Sequence, residues 1–97
     1  MQLNVTVTLT NAEPVTVPVL NPDRVRWDMT AAKHGWPEFA KAPFLGTTFL
    51  AWAAMRREGL YTDSFENFRD RDALEIESSS DNADDPDAVG DLGRPTP

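Results

Sequence analysis

Residues 44–58 read FLGTTFLAWAAMRRE, and the fold turns on this stretch. From Phe49 to Met55 every residue is apolar, so no polar stripe is left to face water. A helix that is apolar nearly all round is buried nearly all round. Pro43 stands just before it and Gly59 just after it, the residues tolerated at a helix start and favoured past a helix end. Arg56 and Arg57 occupy the last turn, where the free carbonyls favour positive charge. Two arrangements satisfy such a helix. It is the central element of a small domain, or one of its faces meets another protein.

Upstream, Leu3, Val5, Val7 and Leu9 alternate with Asn4, Thr6 and Thr8. Period-two alternation of β-branched residues marks a strand with one wet face. Asn11 to Pro14 reads as a turn, and Val15, Val17 and Val19 continue the pattern in a second strand. Pro18 cannot donate to a ladder, which assigns that strand to an edge. Two strands alone are marginal, so their apolar face needs helices or another chain to cover it. Asn21-Pro22 then opens a helix over 22–34, with Asn21 as its cap and Pro22 in the first turn. Val25, Met29 and Ala32 recur at helical spacing and predict its buried stripe, widened by Trp27 and Ala31. Gly35 ends the helix, and Trp36 before Pro37 is held extended.

Downstream, Asp63 and Glu66 have capping-box spacing, which predicts a short helix over 64–71 with Phe65 and Phe68 on one face. Leu74 and Ile76 alternate with Glu75 and Glu77, a pattern open to a strand or a last helical turn; a coil or short turn is the preferred reading. Residues 78–97 hold few apolar side chains among Asp81, Asp84, Asp85, Asp87 and Asp91. Such a segment cannot offset its ordering entropy by burial. The predicted architecture is α+β: an N-terminal β-hairpin followed by two to three packed α-helices over 1–77, then an acidic disordered C-terminal tail over 78–97. Trp52 reads as a core residue whose truncation costs about 3–5 kcal/mol.

Charge is unevenly distributed. Residues 1–62 carry five acids and six bases, and 63–97 carry eleven acids and three bases, giving −7 for the whole chain. Nucleic-acid binding asks for a cluster of Lys and Arg, and none is present in the sequence. Trp27, Trp36, Trp52 and Tyr61 therefore read as core or interface anchors rather than a base-stacking platform. The 97 residues include no cysteine, which removes thiol catalysis and thiolate metal sites. The single histidine, His34, has no carboxylate three or four positions before it and reads as a helix-end residue near the last carbonyls. The aspartate run lacks the glycine, closing glutamate and framing helices of a calcium loop. Every glycine is isolated, so no phosphate-binding loop is present in the sequence. The expectation is a soluble, cytosolic, non-enzymatic protein with no cofactor, no metal and no membrane segment, which works by binding other proteins.

One family likeness is visible. Arg26-Trp27-Asp28, Lys33-His34-Gly35-Trp36-Pro37, Ala42-Pro43-Phe44-Leu45, Thr48-Phe49-Leu50-Ala51-Trp52-Ala53-Ala54 and Arg56-Arg57 together resemble the small tail assembly chaperones of long-tailed actinobacteriophages and prophages. The likeness covers residues 1–77 and lies in packing residues, not in a chemical signature. It implies a short-form chaperone that binds the tape-measure protein, keeps it soluble and recruits tail-tube protein in the host cell cytoplasm, and is absent from the mature virion. It also implies a longer frameshifted form with the same start. Self-association is a further expectation, from size alone: about 77 residues supply only a small core. Trp27, Trp36, Pro37, Phe44, Phe49, Trp52 and Arg56 are then the candidate fold or interface residues. A small structural virion protein, such as a head–tail connector or minor tail component, is the alternative.

Overall fold

The computed structural model describes residues 3–80. Strand β1 (Leu3–Leu9) turns through Asn11, which takes a left-handed φ of 60°, into β2 (Val15–Val19). Helix α1 (Asn21–His34) follows, then a 3₁₀ turn (Phe39–Lys41) and helix α2 (Pro43–Arg57). A one-turn helix α3 (Phe65–Asn67) runs into a wider helical turn (Phe68–Asp72), and strand β3 (Ala73–Ser80) closes the fold. The architecture is α+β, built on an N-terminal antiparallel hairpin as the alternation predicts.

The three strands lie in the order β2-β1-β3, both pairs antiparallel. Val5 stands opposite Val17 and Ser78, and Val7 opposite Val15 and Ile76. The strand at 73–80 corrects the preferred reading of 74–77 as coil or turn. It also moves Ser78, Ser79 and Ser80 out of the predicted tail and into the sheet, where they pair with Val5, Asn4 and Leu3. β1 is already paired on one side by β2, and its other edge takes the alternating segment 74–77 as a ladder partner. The register slips between Thr8 and Leu9, so Leu74 is the extra residue of a bulge and stays exposed. The remainder of the predicted acidic tail, 81–97, lies outside the described residues.

Helix α2 is the central element. Phe49, Leu50, Ala51, Ala53, Ala54 and Met55 are all buried, in one core with Val5, Val7, Val17, Val19, Trp27, Tyr61, Phe65 and Phe68. Of the two arrangements open to this helix, the chain's own strands and α1 supply the cover. Gly46 permits one close approach: a Cβ there would sit 2.3 Å from the Phe39 ring. Gly35 and Gly59 take left-handed φ values of 69° and 76° at the ends of α1 and α2.

Helix α1 is turned differently from the prediction. Its buried residues are Asp23 and Trp27, with Thr30 and Ala31 half-buried behind them. Val25 and Met29 are 45% and 68% exposed, and Ala32 is exposed as well. The cause is Asp23, the one buried charged residue among those described and 2% exposed. Its Oδ2 accepts from the Leu20 N–H at 2.9 Å, capping the helix start in place of Asn21. Arg57, at the end of α2, grips the same carboxylate with Nε to Oδ1 at 3.2 Å and Nη2 to Oδ2 at 3.1 Å. Arg57 Nη2 also donates to the Pro18 carbonyl at 2.8 Å. One guanidinium thus joins the end of β2, the start of α1 and the end of α2. The hydrogen bond to Asp23, opposed by burial and helped by the bond to Glu58, holds the Arg57 proton more firmly than usual.

A second polar tie anchors β3. The Tyr61 hydroxyl donates to Asp72 Oδ2 at 2.6 Å, and Arg71 Nε donates to Asp72 Oδ1 at 2.7 Å. Arg71 first, and Tyr61 second, lower the Asp72 carboxyl from 3.8 to about 2. Burial, then the bond to Asp72, pushes Tyr61 from 10.0 up to about 12.

Asp23→Ala leaves Arg57 facing a core without its anion. A broken buried pair costs 3–5 kcal/mol, and Arg57 keeps part of its side chain in water, so the expected loss is about 3 kcal/mol. A drop in the urea midpoint at unchanged slope is the readout. The Tyr61–Asp72 tie makes stability fall at both pH extremes. Asp72 is depressed, so its contribution is complete above about pH 4 and fades as pH falls through about 2. Tyr61 is raised, so its contribution is complete below about pH 10 and fades as pH rises through about 12. Tyr61 is the chain's one tyrosine, so phenolate absorbance titrates it alone; a midpoint near 12 is expected in the folded chain, and one near 10 would show the ring exposed and the tie broken.

Candidate functional site

Four aromatic rings meet around Phe49. Its centroid lies 5.7 Å from Trp27, 6.2 Å from Trp36, 5.3 Å from Trp52 and 5.2 Å from Phe65. The pairs are tilted or edge-to-face, the arrangements the ring quadrupole favours. Phe49 is 2% exposed and Trp27 is buried, whereas Trp36 and Trp52 are half-buried and form a rim. Trp36 is placed by the chain leaving α1: after the Gly35 reversal its N–H donates to the Ala31 carbonyl at 2.9 Å. His34 stands in the last turn of α1, as predicted, and its ring stacks on Trp36 with centroids 5.0 Å apart.

Trp52 is held from both sides. Its Nε1 donates to the Asp63 carbonyl at 3.1 Å, and Arg56 Nη1 donates to the Thr62 carbonyl at 2.7 Å. The guanidinium carbons of Arg26 and Arg56 lie 5.7 Å and 5.6 Å from the Trp52 ring, within cation–π range. Asp63 in turn accepts from the Ser64 N–H and from Asn67 Nδ2, which with Arg71 keeps its carboxyl below the usual range. The cap of α3 is Ser64, whose Oγ accepts from the Asn67 N–H at 3.2 Å, one residue beyond the predicted Asp63. Between the Trp36 and Trp52 rims is a notch of about 310 Å³, floored by Phe49 and Phe65 and edged by Arg26, His34 and Glu66.

A second depression, of about 570 Å³, adjoins it. Pro22, Val25, Met29 and Lys33 line it, and it shares Arg26 and Thr30 with the notch. The outward stripe of α1 and the aromatic notch are therefore one continuous surface.

Of the seven candidate residues, Trp27, Trp36, Phe49 and Trp52 come together in the cluster, and Arg56 packs on its edge. Trp52 is half-buried rather than a core residue. Pro37 is exposed in the link after α1, and Phe44 is 88% exposed at the start of α2; neither lines the notch. Phe65, Arg26 and His34 belong to the notch but were not among the candidates. Capping residues around Ser64 carried a signal for Phe65, and the four-residue spacing of Arg26, Thr30 and His34 puts them on one flank of α1. Among the described residues no group of three or more His, Asp or Glu is placed to hold a metal ion, and no helix is long and apolar enough to cross a membrane. A scan against protein-family models finds no match, and searches of curated proteins and of solved structures find none either.

The cluster separates support from contact. Phe49→Ala empties a fully enclosed site and is expected to cost about 3–5 kcal/mol, while Trp52→Ala opens a site already half in water and is expected to cost about 2 kcal/mol. Chemical denaturation of the two variants ranks them; equal losses would mean that Trp52 carries as much of the core as Phe49.

Proposed function

We propose that this chain is a non-enzymatic tail assembly chaperone that binds the tape-measure protein, keeps it soluble and helps recruit tail-tube subunits to it. The observation that carries this reading is the outward stripe of α1. Met29 and Val25 are 68% and 45% exposed beside an aromatic notch, in a chain whose most apolar helix is already covered. Apolar surface left open next to aromatic and arginine side chains is the composition of a protein-binding patch. A long helical client with apolar stripes suits such a patch, since an amphipathic helix docks through residues at three- and four-position spacing. Binding protects the client by mass action, so no reaction is needed. The likeness in the Trp27–Trp36 and Phe44–Arg57 segments supplies the identity of the client and of the longer frameshifted partner. On this reading the chain works in the host cytoplasm and leaves before the particle is complete.

The test is co-expression with the tape-measure protein. The tagged chain is expected to recover it from the soluble fraction and to be missing from purified particles. Met29→Asp is expected to lose the client while its thermal midpoint stays near the parent's, because an exposed substitution shifts stability by about 0.5 kcal/mol or less. Stable presence in finished particles would instead make the chain a structural component, and full recovery of client by Met29→Asp would move the contact off α1.

A further inference from the structure

We infer that the α1 stripe and the aromatic notch together form a docking site for an amphipathic helix with a row of carboxylates along one edge. This deepens the chaperone reading and rests on it, by naming the surface and the chemistry of what it takes. The stripe alone would accept any greasy ridge; charge makes the site selective.

The cations of the described residues divide into two groups. Arg57, Arg69 and Arg71 are each held by carboxylates, of Asp23 and Glu58, of Asp70, and of Asp63 and Asp72. Arg24, Arg26, Lys33, Lys41 and Arg56 form no ion pair with another described residue, and of these Arg26 and Lys33 line the depression over the stripe. They lie seven positions apart, two turns, on the same flank of α1. That flank faces the notch, where Arg26 and His34 stand on the edge. Glu66 is the acid on the notch rim. Asp28 and Arg24 stand on the opposite flank with Trp27 and Phe39. The Arg26–Lys33 edge is thus a row of positive charge in a chain of net −7. Exposed cations steer and orient a partner more than they tighten it. An incoming helix with acids on one edge has its direction fixed by this row, its apolar ridge on Val25 and Met29, and one large side chain in the notch between Trp36 and Trp52.

The probe is a pair of synthetic helical peptides of about 18 residues, with leucines at three- and four-residue spacing and either glutamate or lysine along one edge. Each is titrated into the full chain, read by tryptophan fluorescence and by the methyl NMR signals of Val25 and Met29. The glutamate-edged peptide is expected to bind roughly tenfold tighter than the lysine-edged one, and to weaken as salt screens the contact. The double variant Arg26→Glu/Lys33→Glu is expected to reverse that preference; both sites are exposed, so folding is retained. Equal binding of both peptides, or signal changes confined to other faces, overturns the inference. So does finding the stripe already occupied, whether by a second copy in a sedimenting dimer or by residues 81–97 through contacts to the Met29 methyl. The two readings fail separately. Recovery of tape-measure protein by the double variant at the parent's level sinks the docking site and leaves the chaperone. Peptide binding without client recovery sinks the chaperone and leaves the docking site.

Discussion

The arrangement depends on one buried ion pair. Asp23 is held inside by Arg57 and by the Leu20 amide, and that fixes the rotation of α1. Val25 is two residues on, about 200° round the helix, and Met29 six residues on, about 240°. With the carboxylate inward, both must point outward. An apolar residue at position 23 would remove the constraint, and the helix would be free to roll its greasier side onto the sheet. Taking charge out of water is costly and is repaid only when geometry and hydrogen bonds are good; here every oxygen of the carboxylate has a donor. The pair contributes less to net stability than to choosing which of two amphipathic faces is hidden.

This choice marks the limit of what the sequence discloses. The hairpin was legible because Val5, Val7, Val17 and Val19 alternate without interruption. Pro18 assigned β2 to an edge. The central helix was legible because Phe49 to Met55 leaves no polar side. The face of α1 was not, because the rule that apolar residues point inward counts Val25, Met29 and Ala32 and has no means of seeing a partner 34 residues away for Asp23. Strand β3 was obscured for a different reason. Its alternating segment is four residues long, and the three serines that complete it add no apolar alternation to the pattern. At the candidate surface, the aromatic residues were visible as residues, but their division into floor and rim was not. That division comes from how α3 brings Phe65 against Phe49.

Closing the core and leaving the stripe open are two sides of the same design. Of the two arrangements the sequence leaves open for the helix around Leu50, the central one is found: α2 takes cover from the three-stranded sheet and α1. Uncovered apolar side chains lie on α1, at Val25 and Met29, and off it at Phe44, Leu60 and Leu74. A surface of this kind can be altered without dismantling the interior, and that separates recognition from stability in a domain with few residues to devote to either.

The edge strand β2 carries a consequence of its own. Pro18 offers no amide to a newcomer, and its carbonyl is already taken by Arg57. A foreign strand trying to extend the sheet there meets a missing donor beside an acceptor in use. Lateral growth toward fibrils is opposed on that side, so the hairpin is poorly suited to seed aggregation.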